Sequence, residues 1–164
     1  MPMIFVTLPV MVLALLPIII IEAALALPYL KLPFRRLLKG SAIANLVSTF
    51  IGIPAAWFVL VVIQMITGGG RAYGLLTPAS KFLAVTWQAP WLIPYQQDLN
   101  WMIPAATLVL LVPFFFASWW VEYLVMKRIF HDTDKKILRR AVRNINFLSY
   151  SGLAFYTVAR MYFQ

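Results

Sequence analysis

A carboxylate set inside a long apolar run limits this chain more than any other feature. From Met3 to about Tyr29 the residues are apolar apart from Thr7, Glu22 and prolines, and "IIIIEAALALPYL" carries the acid near the end of the run. About 20 apolar residues cross the hydrocarbon core of a bilayer, so the run predicts a membrane helix. An acid facing hydrocarbon costs on the order of 3 kcal/mol near the bilayer centre on insertion scales. Glu22 must therefore meet protein or water.

Three more runs follow, at about 41–67, 99–126 and 144–163. The last is the weakest, because it carries Asn144, Asn146, several hydroxyls and Arg160; pairing with the strongly apolar third run favours its insertion over an interfacial position. Composition agrees with this reading. The 164 residues are 63% hydrophobic and 12% charged, against roughly half apolar and a quarter charged in soluble domains. The expected class is an all-α integral membrane protein, one membrane domain of four transmembrane helices arranged as two hairpins.

The net charge of +9 would suggest nucleic acid in a soluble protein, but its distribution points to a bilayer instead. Lys31, Arg35, Arg36 and Lys39 lie between the first two runs. Lys127, Arg128, Lys135, Lys136, Arg139, Arg140 and Arg143 lie between the last two, leaving only Arg71, Lys81 and Arg160 of the 14 basic residues elsewhere. Lys and Arg are retained on the cytoplasmic side, so both basic connections are expected inside and both termini outside, in a bacterial cytoplasmic (inner) membrane. "EAALALP" contains an Ala-x-Ala-like cleavage site. No basic n-region precedes the run, however, and it is longer than a usual signal core, so the first span is expected to be retained.

The outer segment, about 68–98, opens with the flexible "TGGGRAYG". It continues with Trp87, Trp91 and Tyr95, and Trp101 follows at the start of the third span. Such amphipathic rings sit at headgroup depth, and Pro78, Pro90 and Pro94 prevent one continuous helix. An interfacial or shallow re-entrant cover is expected, with Asp98 as a cap. On the inner side "HDTDKKILRRAVRN" reads as an amphipathic helix start, with Asp132 or Thr133 as N-cap. Its basic face, Lys136, Arg139, Arg140 and Arg143, together with Arg35, Arg36 and Lys39, suits anionic lipid or an acidic partner.

The acid of the first run has a counterpart. Aligning Glu22 with Glu122, and allowing one extra residue, brings Asn45 and Ser48 onto Asn146 and Ser149. An internal duplication would relate two hairpins about an axis along the membrane normal. Depth supports the pairing: Glu22 lies nine residues before Lys31 and Asn45 six after Lys39, about 13 and 9 Å from the basic edge at ~1.5 Å per residue. Ala44, Ser48, Gly52 and Ala56 recur every four residues, a seam permitting close helix approach. The predicted polar cluster is thus Glu22, Asn45, Ser48, Glu122, Asn146 and Ser149. It reads as interhelical glue; intramembrane acids also mark ion and proton paths.

Catalytic and metal chemistry find little support. The chain has no cysteine and a single histidine, His131, in a charged turn, which disfavours both a Ser-His-acid triad and a convergent metal site. "GGGRAYG" lacks the Lys-Ser/Thr ending of a phosphate loop. Trp119 and Trp120 beside Phe114, Phe115 and Phe116 make a broad aromatic face that suits a lipid, quinone or pigment, although packing is the default for such residues. No cofactor is predicted. The expected function is a non-catalytic accessory, structural or assembly subunit of a larger membrane complex, with other membrane subunits as partners. The alternative is a small homo-oligomeric transporter or channel using Glu22 and Glu122.

Overall fold

The computed structural model describes residues 4–68, 76–78, 80 and 96–162, and every long element among them is an α-helix. In chain order these are α1 (Ile4–Leu30), α2 (Phe34–Gly68), α3 (Gln96–Ile129) and α4 (Lys135–Tyr162). Three of them contain stretches long and apolar enough to cross a membrane: Val12–Leu30, Phe34–Ile66 and Met102–Ile129. The fourth is 28 residues long, but its first turns carry Lys135, Lys136, Arg139, Arg140 and Arg143 and lower its hydropathy. Six prolines, Pro9, Pro17, Pro28, Pro54, Pro104 and Pro113, lie inside helices, as membrane helices commonly tolerate.

Two of the helices begin earlier than the apolar runs suggest. Helix α2 starts at Phe34 and α4 at Lys135. Hydropathy marks where lipid begins, whereas Arg, Lys and Leu are good helix formers on either side of that boundary. Between α1 and α2 the chain turns in three residues. The Lys31 amide donates to the Leu27 carbonyl at 3.0 Å, and Lys31 takes the left-handed conformation (φ 52°) that closes a helix C-terminus. Pro33 then offers its carbonyl to the amides of Arg36 and Leu37, at 2.9 and 3.1 Å, as the first acceptor of α2. At the other connection the cap is Asp134 itself, in place of the expected Asp132 or Thr133. Its Oδ1 accepts from the Lys136 and Ile137 amides at 2.8 and 3.0 Å. These two bonds hold the exposed Asp134 carboxyl below its ordinary pKa.

Helix α1 packs against α2 and α4, and α3 packs against the same two, so the four close around one interior. The main core lies at the end where the two basic connections sit. Ala23, Ala26 and Leu30 of α1, Leu37 and Ala44 of α2, Met126 of α3, Phe130 and four residues of α4 form it. Gly40 permits its closest approach: a Cβ there would meet the edge of the Phe130 ring. A smaller cluster of Leu60, Leu110 and Phe114 fills the other end.

The two halves bury equivalent positions. On α2 the buried residues through Ser48 are Leu37, Gly40, Ser41, Ala44, Asn45 and Ser48. On α4 they are Leu138, Ala141, Val142, Ile145, Asn146 and Ser149, each 101 positions later. The triplet Glu22, Ala26, Leu30 of α1 corresponds at an offset of 100 to Glu122 and Met126 of α3 and Phe130 just after it, so the extra residue falls in the second connection. The spacing is the three-four alternation of a helix with one buried face. Polarity runs opposite to that of a soluble bundle, with acids and amides inside while Phe50 and Phe155 stand 84% and 78% exposed.

Candidate functional site

Both acids point inward and are 2% exposed. Glu22 Oε2 accepts from Asn45 Nδ2 at 2.6 Å and from the Ser41 hydroxyl at 3.2 Å. Its Oε1 accepts from the Ser149 hydroxyl at 2.9 Å. Glu122 Oε2 accepts from Asn146 Nδ2 at 2.7 Å, and Oε1 from the Ser48 hydroxyl at 3.1 Å. Each glutamate therefore takes its amide from the neighbouring helix of its own half and a serine from the opposite half. The arrangement is reciprocal: Ser48 leaves Glu22 for Glu122, and Ser149 leaves Glu122 for Glu22.

Local helix geometry aims these donors. Asn45 and Asn146 lie on the buried faces of α2 and α4, and each amide nitrogen also donates to the carbonyl four residues earlier, Ser41 at 3.0 Å and Val142 at 3.1 Å. That second bond fixes the side-chain rotamer, so the amide reaches its carboxylate already oriented. The serines are anchored likewise, Ser48 to the Asn45 carbonyl at 3.1 Å and Ser149 to the Ile145 and Asn146 carbonyls at 3.2 and 3.1 Å. One position breaks the symmetry. Ser41 is matched by Val142, so Glu22 has three donors and Glu122 two. Ser41 was missed in the sequence reading; its signal was its place four residues before Asn45, on the same face.

The five donors are neutral amides and hydroxyls. At the connections the exposed His131 and Arg36 meet Asp132 at 3.0 and 3.7 Å. One acceptor in the cluster stays empty, since Asn146 Oδ1 is buried without a hydrogen-bond partner. Beside the cluster, the Ser118 and Tyr150 hydroxyls share a 2.7 Å bond, and the Phe115 ring packs edge-on against Phe147 and Tyr150 and stacks on Trp119.

The other predicted residues are placed as follows. Ala44 and Ser48 are buried and Ala56 packs half-buried on the far cluster, but nothing lies within 4 Å of a Cβ built at Gly52, so the small-residue seam is open there. Arg36 lies over the Phe130 ring and Arg139 over Trp119, at 5.7 and 5.8 Å. Arg35, Lys39, Lys136, Arg140 and Arg143 are exposed. Trp87, Trp91 and Tyr95 fall outside the described residues; Trp101 belongs to α3, its side chain outside the description. Among the described residues no three His, Cys, Asp or Glu side chains gather as a metal site would need.

Fold and site together define a class: an all-helical bundle, three of its helices long and apolar enough to cross a membrane, enclosing a hydrogen-bonded carboxylate cluster. The chain matches no family of known proteins, no curated protein and no solved structure. The functional reading therefore rests on the site itself.

Proposed function

We propose that the chain is a non-catalytic accessory or assembly subunit of a larger membrane complex, with Glu22 and Glu122 as the internal locks of its bundle. One observation carries this reading: all four carboxylate oxygens are engaged by donors from neighbouring helices, in a pattern that ties each half to the other. Hydrogen bonds from neighbouring helices onto buried carboxylates fix how those helices pack. Broad outward faces of Phe, Leu, Ile and Tyr remain for lipid and partner helices.

In this reading α1–α2 and α3–α4 are two membrane hairpins, with the basic connections on the cytoplasmic side of a bacterial inner membrane and both termini outside. Arg35, Arg36, Lys39, Lys136, Arg139, Arg140 and Arg143 then meet anionic headgroups, and the aromatic segment between α2 and α3 lies in the outer interface. The exposed Phe155, Tyr156 and Tyr162 on the last turns of α4 support its insertion beside α3. The test is purification of the tagged chain from its native membrane in mild detergent. A stoichiometric membrane partner is expected; a chain that runs alone or only with copies of itself refutes the reading.

A second reading, a small homo-oligomeric transporter or channel, is favoured by the place of both acids between two equivalent halves, where repeat-built transporters hold their sites. Flux in liposomes lost on Glu22→Gln or Glu122→Gln supports it, and absence of flux removes it.

A further inference from the structure

The polar cluster has more acceptors than hydrogens to fill them. The Ser48 hydroxyl carries one hydrogen, yet it stands 3.1 Å from Glu122 Oε1 and also 3.1 Å from the Asn45 carbonyl. The single hydroxyl hydrogen of Ser149 has three acceptors in reach: Glu22 Oε1 at 2.9 Å, the Asn146 carbonyl at 3.1 Å and the Ile145 carbonyl at 3.2 Å. Asn146, itself 1% exposed, keeps its Oδ1 buried with no donor while its nitrogen serves Glu122. Every donor to the two carboxylates is neutral, so two ionised acids would leave two negative charges enclosed by four helices. Buried charge without a cation is expensive, and gaining a proton is the usual relief.

We propose that the Glu22–Glu122 cluster is a proton-binding site that holds at least one proton at neutral pH. The two cross-half serines let the proton in without moving a heavy atom. With the proton on Glu122 Oε1, that O–H donates to Ser48 Oγ, and Ser48 turns its own hydrogen onto the Asn45 carbonyl. With the proton on Glu22 Oε1, the O–H donates to Ser149 Oγ, and Ser149 turns to the Asn146 carbonyl. Each uptake takes one proton from a hydronium ion, breaking an O–H bond there and forming one on the carboxylate, with water released and one negative charge cancelled. Both protonation states keep the halves joined.

The surrounding titratable groups leave these two acids as the acceptors. Helix α1 contributes Glu22 and the exposed Tyr29; α2 contributes only Arg35, Arg36 and Lys39, exposed at the connection end. Helix α3 contributes Glu122, Tyr123, Lys127 and Arg128, with Asp98 at its far end. Helix α4 contributes Tyr150, bonded to Ser118, the exposed Tyr156, Arg160 and Tyr162 toward its end, and the basic face of its first turns. The inference stands whether or not the chain works inside a larger complex.

Glu22 and Glu122 are the only glutamates in the chain, which makes the test direct. Glutamate labelled with carbon-13 at the δ-carboxyl is introduced by cell-free synthesis, and the full chain in lipid is read by infrared or NMR spectroscopy. At neutral pH half or more of the labelled signal is expected in the acid form, moving to carboxylate as alkali is added. Both labels ionised at neutral pH would overturn the proposal. So would a carboxylate signal that shifts when sodium is exchanged for choline at fixed pH, because a metal cation would then supply the charge.

Discussion

Replacing Gly40 by alanine tests how closely α2 approaches the end of α3. The new methyl would lie 2.8 Å from Phe130 Cε2 and nearer still to Cζ, whereas carbon atoms rest at about 3.5–4.0 Å. The overlap is roughly 0.7 Å or more. The ring has little room to retreat, being 1% exposed, packed among Leu37, Leu138 and Ala141, and covered by the Arg36 guanidinium. Overpacking of this kind costs about 1–3 kcal/mol, and Gly40→Ala is expected near 2 kcal/mol on that scale. Phe130→Leu removes the clashing edge but leaves a void. The double variant should therefore cost less than the sum of the singles, with a coupling of about 1–2 kcal/mol. It also gives each of the two positions the residue its equivalent in the other half already has, since the positions equivalent to Phe130 and Gly40 are Leu30 and Ala141, buried in the same core. Reversible unfolding in mixed micelles, titrated with a denaturing detergent and followed by circular dichroism, measures all four corners of the cycle. A Gly40→Ala variant as stable as the parent, or strictly additive costs, would refute this packing.

Three further outcomes can be checked. Asn146→Ala leaves Glu122 with Ser48 as its one donor, whereas Asn45→Ala leaves Glu22 with Ser41 and Ser149; costs of about 2 and about 1 kcal/mol are expected in the same micelle assay, and the reverse order would contradict the donor count. Asp134, its pKa lowered by two amides, contributes fully to capping above its unfolded value and loses that contribution as pH falls through the lower folded one; Lys136 and Ile137 amide exchange should accelerate on acidification beyond the intrinsic trend, and Asp134→Asn should flatten the response. The cysteine-free sequence makes site-directed labelling clean: an impermeant maleimide applied outside should reach cysteines at Ser80 and Tyr162, but those at Lys39 and Lys136 only after permeabilisation, while a Tyr162 site sharing the side of Lys136 would lay α4 flat.

Much of the site was legible because depth is written in spacing. The distances of Glu22 from Lys31 and of Asn45 from Lys39 put acid and amide at comparable depths, and the alignment of the two halves carried the pairing to Glu122 and Asn146. Which serine serves which acid was not legible, because that depends on how the halves face each other, and no local pattern encodes it. Ser41 escaped notice because its counterpart is Val142, so the comparison of halves was silent there. Gly52 fits a four-residue repeat whose neighbours Ser48 and Ala56 pack inward, yet a Cβ there would meet open space, and periodicity alone does not tell a contact from a gap. Hydropathy located three long membrane-compatible helices but not the starts of α2 and α4, where basic residues extend a helix beyond the apolar run.

The exchange of serines between halves bears on how the chain is made. As synthesis proceeds from the N-terminus, α1 and α2 are complete, with Asn45 and Ser41 available to Glu22, while Ser149, about a hundred residues later in the chain, is still to be made. Ser48 has no carboxylate to serve until Glu122 arrives. The nascent half thus waits with an acid that lacks one of its three donors, and a chain truncated after α2 is expected to be less stable than the full chain.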